Sequence, residues 1–389
     1  MAPPTHTFRS AVKSGTVLDR VAVPVVLAPL AGGPSTPELA AAVSDAGGLG
    51  FLAGGYLSAE ELRRRIERTR ALTQAPIGVN LFVPGPGPTE PDRYAKFSAR
   101  FREWAREQGV AVGEPRYSDD DWEAKLAVLQ ELAPEVVSFT FGCPTGELLA
   151  RLRAVGAEVW VTVTTPEEAV RAAAAGAQAL VVQGSEAGGH RASFADREGD
   201  PVYGLLPLLA LVRADVSLPL IACGGIATAQ ALGRVIAAGA AAAQIGTAFL
   251  LAPEAGTSPA HRDAIRGDVP TVLTRAFTGR LARGIRNRFI DEHSADAPVA
   301  YPELHYLTAP MRHDAREAGD AGLINLWAGE AHRLARARPA AETVSRLAGE
   351  RALGQEGVVR KPARRGQEVR SPPGRVDSPS VELGQVHLA

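Results

Sequence analysis

The sequence predicts an α/β protein: a (β/α)8 TIM barrel with a small appended C-terminal α/β region. Three observations carry that expectation. Eight short apolar, β-branched runs fall between residues 23 and 252. They read without clean polar alternation, as parallel strands covered on both faces do. Amphipathic stretches rich in Ala, Glu and Arg separate most of them, and eight such units in about 230 residues is the count of a closed barrel. An open doubly wound sheet is the rival, since pattern alone does not show closure.

Residues 1–20 form a lead-in without the apolar core of a signal peptide. The barrel is expected over 21–255, with strand-like runs at 23–31, 48–54, 76–83, 135–142, 158–164, 179–184, 219–226 and 242–251. Helices are expected at 58–73, 145–155, 166–175 and 228–238. Ser58 with Glu61 spells a capping box, Thr165 precedes a Pro at the first helical position, and Gly156, Gly176 and Gly239 stand where helices end. Between the third and fourth runs, 84–134 reads as a cap-like insertion. It holds a Pro/Gly-rich stretch and two helical segments, 92–109 and 119–133, and far exceeds the usual loop. Residues 256–350 read as a smaller region that closes on the barrel and lines the substrate, with helices at 322–337 and 340–348. The final stretch, 351–389, is rich in Pro, Gly, Ser and Arg and reads as a disordered tail.

The chain has 389 residues, 46% of them apolar and 22% charged, which suits a folded globular protein. Its net charge of −1 argues against nucleic acid or an anionic membrane as the main partner. Cys143 and Cys223 offer neither a disulfide framework nor a CxxC metal site. No apolar stretch reaches the roughly 20 residues of a membrane span. A cytoplasmic protein acting on a small molecule is expected, with a homo-oligomer left open.

Chemistry in this architecture sits at the C-terminal ends of the strands. The four lysines, Lys13, Lys96, Lys125 and Lys361, all lie elsewhere, which removes Schiff-base and pyridoxal phosphate chemistry. Glu186 is the lone acidic residue at these ends, too few for a metal centre or for a glycosidase's two carboxylates. What remains is glycine, neutral amides and one imidazole. A single glycine more often only eases a turn. Here Gly224-Gly225 precedes Thr228 and a helix, and Gly246-Thr247 follows one strand later. Two such sites on the final strands point to a phosphate held by backbone N–H groups and a helix N-terminus. Asn80 and Gln183 each pair a donor with an acceptor, suited to the edge of a neutral heterocycle, or else tie down their own loops. His190 is the only histidine between His6 and His261 and follows two glycines. A lone histidine is more often structural. In a mobile loop beside a phosphate site, with a pKa near its usual value of about 6.5, it is the candidate base. Glu186 reads as a loop or helix-cap group. Together these features suggest a bound organic cofactor that supplies electrons. Flavin mononucleotide fits, and spacing alone leaves a phosphosugar isomerase open.

At these residues the chain resembles the nitronate monooxygenases. The matching elements are Ala28-Pro29-Leu30-Ala31-Gly32, Asn80-Leu81-Phe82, the run from Gln183 to His190, Ala222-Cys223-Gly224-Gly225-Ile226, and Gln244 to Phe249. The stretch from Tyr301 to Thr308 matches the family's later region. The likeness spans about residues 20–345. It implies a barrel holding FMN non-covalently and oxidising alkyl nitronates with dioxygen to a carbonyl compound and nitrite, a detoxifying activity. It places FMN contacts on Ala28, Pro29, Leu30, Asn80, Gln183, Gly188, Gly225, Gln244, Ile245, Gly246 and Thr247. His190 becomes the base that takes the α-proton of a neutral nitroalkane, and Tyr301 and Tyr306 line the pocket. Leu30 stands where the family usually has methionine, a near volume-conserving change. Two other flavin readings compete, an enoyl-acyl-carrier reductase and an NADH:quinone reductase. From another class come a cofactor-free isomerase and a phosphate-ligand binding protein.

Overall fold

Closure of the sheet is visible in its hydrogen bonds. The protein is described by a computed structural model over residues 15–349; the expected tail at 351–389 and most of the lead-in lie outside the described residues. The first units are β1 (Val25–Leu27), α1 (Pro37–Asp45), β2 (Gly50–Ala53), α2 (Ala59–Leu72) and β3 (Ile77–Phe82). After α3 (Pro91–Gln108) and α4 (Trp122–Leu132) come β4 (Val136–Thr140), α5 (Gly146–Ala154), β5 (Glu158–Val163), α6 (Pro166–Ala175) and β6 (Ala179–Gln183). A two-residue strand, β7 (Gly189–His190), precedes α7 (Leu205–Asp215), β8 (Leu220–Cys223), α8 (Ala229–Ala237) and β9 (Ala242–Ile245). Eight of these strands pair in parallel in the order β1-β9-β8-β6-β5-β4-β3-β2. Leu27 N–H donates to Leu49 O and Leu49 N–H to Val25 O, both at 2.9 Å, so the two ends of the sheet meet. The barrel is the observed architecture, and the open sheet is not.

The local signals act as their chemistry requires. Ser58, Thr145, Thr165 and Thr228 each accept a backbone N–H with their hydroxyl at the start of α2, α5, α6 and α8. Inside the barrel, Val26, Phe51, Val136, Trp160, Val181 and Ile221 pack together at the N-terminal end of the strands. A 3-10 turn at Val17–Arg20 plugs that end. Its Val17 N–H donates to the buried Glu158 carboxylate at 2.7 Å, whose other oxygen accepts from the Trp160 indole at 2.8 Å. A carboxylate at the barrel floor is thus satisfied locally, as burial demands. The larger core lies between the strands and the helical layer, which α4 joins by packing on α2 and α5.

Beyond the barrel lie α9 (Pro259–Arg266), β10 (Thr271–Thr274), β11 (Ala282–Ile285), α10 (Arg288–His293), α11 (Glu303–Ala318) and α12 (Ala340–Ala348). Here Phe277, Phe289, Leu304 and Leu307 pack with Phe97 and Phe101 of α3 in a second core. A small antiparallel sheet, β10-β11-β7, stitches this region to the barrel mouth.

Three expectations are corrected. The run 242–251 is not one strand: β9 ends at Ile245, and Thr247–Phe249 is a 3-10 turn. The expected helix at 322–337 is absent apart from a short 3-10 turn at His332–Leu334. Leu326 instead accepts the Ile285 N–H at 2.9 Å and Trp327 bridges to Gly284, so pairing with β11 overrides helical preference. His190 stands in β7, paired with Ala282, rather than in a mobile loop. Among the described residues no helix is long and apolar enough to cross a membrane.

Candidate active site

The C-terminal ends of the strands open onto one cavity. Ala28, Pro29 and Leu30 enter it from the end of β1, Asn80 from β3 and Gln183 from β6. Gly188 comes from the following loop, Gly225 from the end of β8, and Gln244, Ile245, Gly246 and Thr247 from β9 and its turn. His190 lines the same cavity. Residues chosen on sequence alone and scattered over more than 200 positions are therefore neighbours in space.

Each is fixed by specific bonds. Asn80 Nδ2 donates to Ser138 Oγ at 2.9 Å and Thr140 Oγ1 at 3.0 Å, which sets the orientation of its amide. Gln183 donates to His190 O at 3.0 Å and accepts from Ala192 N at 2.9 Å, so its amide holds the backbone that carries His190. Gln244 is different: its Oε1 is buried with no hydrogen-bond partner among the described residues. An unpaired buried acceptor is costly and marks a place where a donor is expected. Gly224 and Gly225 have φ of +122° and +67°, conformations that side chains resist. A Cβ on Gly225 would also stand 3.1 Å from Glu186 Cβ. Behind this turn, past the cavity-lining Ile226 and Ala227, α8 begins with Thr228 as its cap. The Glu186 carboxylate accepts the Leu205 N–H at 3.0 Å with each oxygen and so caps α7.

The opposite wall is aromatic and cationic. His190 Nε2 lies 2.9 Å from Thr278 Oγ1, and the ring is ringed edge-on by Phe141, Tyr301 and Trp327 with centroids 5.4 to 5.9 Å away. Burial, then the guanidinium groups of Arg280 and Arg312, push its pKa down to about 3. The expectation of a value near 6.5 is corrected. His190 is neutral throughout the physiological range, an acceptor without a standing charge. Cys223, also in the wall, is no nucleophile, since burial pushes its thiol up to about 12.

Several lining residues escaped the sequence reading: Tyr56, Phe141, His305, Arg312, Arg316 and Trp327. His190 is thus not the only imidazole at the mouth, because α9 delivers His261 and α11 delivers His305. One signal was present. Residues 305, 308, 312 and 316 recur at helical spacing and share one face of α11. Tyr56 and Phe141 left no such trace; both hold left-handed backbone, with φ of 67° and 76°. Such strain persists only where surroundings enforce it. At Tyr56 the enforcement is visible: its N–H donates to Asp120 Oδ1 at 2.9 Å, and Asp120 pairs with the buried Lys125 at 2.8 Å. Tyr301 stands just behind the wall, its hydroxyl 3.4 Å from that of Tyr56. Tyr306 does not reach the cavity and lies instead under the Arg116 guanidinium, 4.4 Å from the ring centre. No carboxylate lines the cavity among the described residues, and these contain no group of three or more His, Cys, Asp or Glu able to hold a metal.

Known proteins are similar to this chain in sequence and fold. The family model described as nitronate monooxygenase matches residues 16–350. A nitronate monooxygenase of Pseudomonas aeruginosa is 40% identical over 333 residues, covering 83% of this chain and 95% of its own. A solved nitroalkane oxidase from Streptomyces ansochromogenes is 47% identical, with a TM-score of 0.84 over 87% of this chain and 99% of that one. FabK from Thermotoga maritima is more distant, at 26% identity and a TM-score of 0.66, over 85% of this chain and 93% of that one.

Proposed function

This chain belongs to the nitronate monooxygenase family, an oxidoreductase family, and from that premise we propose that it oxidises alkyl nitronates with dioxygen on non-covalently bound FMN, yielding a carbonyl compound and nitrite. One observation carries the reading: a single cavity joins a glycine cradle to the neutral imidazole of His190, with guanidinium groups and no carboxylate among its described lining residues.

The residues present fit FMN. The left-handed Gly224-Gly225 turn and the start of α8 suit a phosphate. Gly246 and Thr247 would lie against it from the next strand. The orphaned Gln244 Oε1 calls for an N–H donor, which an isoalloxazine edge offers. Ala28, Pro29, Leu30, Asn80, Gln183 and Gly188 would complete the enclosure. When bound, FMN supplies the acceptor for substrate electrons and then the reductant for dioxygen.

The protein's own part is positioning, charge and proton transfer. Arg312 and Arg316 line the cavity and lack carboxylate partners among the described residues. Their field favours an anion, and in a site of low dielectric that preference is strong. Burial, with Arg280 and Arg312, lowers the proton affinity of His190. An already ionised nitronate therefore matches the site better than a neutral nitroalkane. For the neutral substrate, His190 would take the α-proton, and the guanidinium groups would stabilise the carbanion that results.

Anaerobic mixing with ethylnitronate should bleach the yellow chromophore, and admitting air should restore it with release of nitrite. Bleaching by NADH but not by ethylnitronate would overturn the reading in favour of a flavin reductase. A colourless protein that takes up no added FMN would point instead to a non-redox phosphate-ligand protein.

A further inference from the structure

The α11 imidazole of the cavity has a defined hydrogen-bonding role that its surroundings impose. His305 sits one turn into α11 and stacks on Tyr56 with ring centres 4.3 Å apart and planes within 2° of parallel. Tyr56 is itself held by Asp120, so the plane of the His305 ring is set from outside α11. Arg312, two turns on, then fixes the ring within that plane. Its Nη2 lies 3.2 Å from His305 Nδ1 and donates to His305 O at 2.7 Å, while Nε donates to Thr308 Oγ1 at 3.1 Å. The Thr308 hydroxyl donates onward to Phe277 O, so Arg312 has no freedom to turn away.

A guanidinium only donates. His305 Nδ1 must therefore accept, and in the neutral ring the proton then resides on Nε2. That ring is neutral, since burial and the adjacent Arg312 hold its pKa well below the usual value. Nε2 finds no partner among the described residues, is not one of the fully buried unpaired side-chain atoms, and belongs to a residue that lines the cavity. Tyr301 stands between two of the imidazoles, its ring centre 5.9 Å from that of His190 and 6.3 Å from that of His305. One cavity thus holds three imidazoles in different company: His190 beside a hydroxyl, His261 bonded to Trp327 O at 3.1 Å, and His305 clamped by a cation.

We propose that His305 is a fixed hydrogen-bond donor to the substrate, with Arg312 locking the tautomer and Nε2–H presented to a nitronate oxygen. It is not a second base: one nitrogen is protonated and the other already receives an Arg312 proton. This assignment rests on the reading of the cavity as a nitronate site. A donor that meets the oxygen equally before and during reaction acts on KM rather than kcat.

Nitrogen-15 NMR of the histidine-labelled holoenzyme tests it together with kinetics. The His305 signals should show Nε2 protonated, and titration with nitrate, a planar oxyanion, should shift that nitrogen. Arg312→Met should give a mixture of tautomers. His305→Phe keeps the stack on Tyr56 and removes the donor; it should raise KM for ethylnitronate about tenfold with kcat within about twofold. His305→Gln, whose amide can donate, should recover most of the loss. Protonation on Nδ1 in the unaltered enzyme, an Nε2 signal unmoved by saturating nitrate, or an unchanged KM in His305→Phe would each overturn the proposal. Should the unaltered enzyme fail to oxidise ethylnitronate, the functional reading falls, while the tautomer and nitrate shifts still decide the role of His305.

Discussion

His190 and Gly225 are the two residues whose replacement separates proton transfer from cofactor retention. His190 bonds to Thr278 and, through its backbone, to Gln183, so its side chain can change while β7 keeps its place. His190→Asn should lower turnover of neutral nitroethane by about 10²- to 10⁴-fold, the usual worth of a general base. Its flavin absorbance should stay unchanged and ethylnitronate should be oxidised with much smaller loss. Equal loss with both substrates would assign His190 to binding. At Gly225 the obstacle is the backbone itself, at φ +67°, with Glu186 Cβ 3.1 Å from any new Cβ. Gly225→Val should move the turn away from a bound phosphate, and the ratio of flavin to protein absorbance should fall several-fold on purification. Full flavin content in that variant would remove the cradle from the site. The low pKa of His190 also has a kinetic consequence: kcat/KM for ethylnitronate should show no enzyme limb near 6.5, its ordinary value. Rapid mixing of preformed nitronate across that range checks this.

Among the elements, α4 links the barrel's outer layer to the active-site wall. Its Lys125 is 1% exposed and pairs with Asp120, which in turn holds the left-handed Tyr56. Burial raises the Asp120 pKa even against the attraction of Lys125, so the pair is only just compensated. Removing the cation alone leaves the carboxylate enclosed with only the Tyr56 N–H and no opposite charge. Lys125→Met should cost about 3 kcal/mol in urea unfolding, and the double change with Asp120→Asn should restore part of it. If Lys125→Met unfolds as the parent does, the pair has no structural weight. The short sheet β10-β11-β7 acts similarly on the other side. By pairing Ala282 with His190 it turns a glycine-flanked loop into a strand with fixed register.

Across the whole molecule, several imidazoles are buried neutral. His190 is held at about 3 and His261 and His293 at about 4, in each case chiefly by burial. In the unfolded chain each titrates near 6.5, so below that value the unfolded state binds more protons than the folded one. Stability must therefore be greatest above about pH 6.5 and decline as pH falls toward 4. Melting temperature followed from neutrality to mild acid should drop steadily through this window. A flat profile there would mean that these rings are charged in the fold.

The sequence by itself determined the eight strand-and-helix units, the capped helices and most of the cavity's glycine and amide residues. Those depend on short-range rules: strand burial on two faces, hydroxyl caps, and backbone shapes that only glycine adopts easily. Glu186 as a helix cap was legible for the same reason. What only the tertiary structure decided depends on contacts between distant segments. Closure needed Leu49 to meet Val25 and Leu27. The extended path of 325–327 needed β11 as a partner. The depressed pKa of His190 needed the ring to be buried and then Arg280 and Arg312 to be brought beside it from across the chain, and His305 entered the cavity only because α11 packs over the barrel mouth. Periodicity shows which face of an element is buried; the field and the neighbours that a side chain meets there are set by packing.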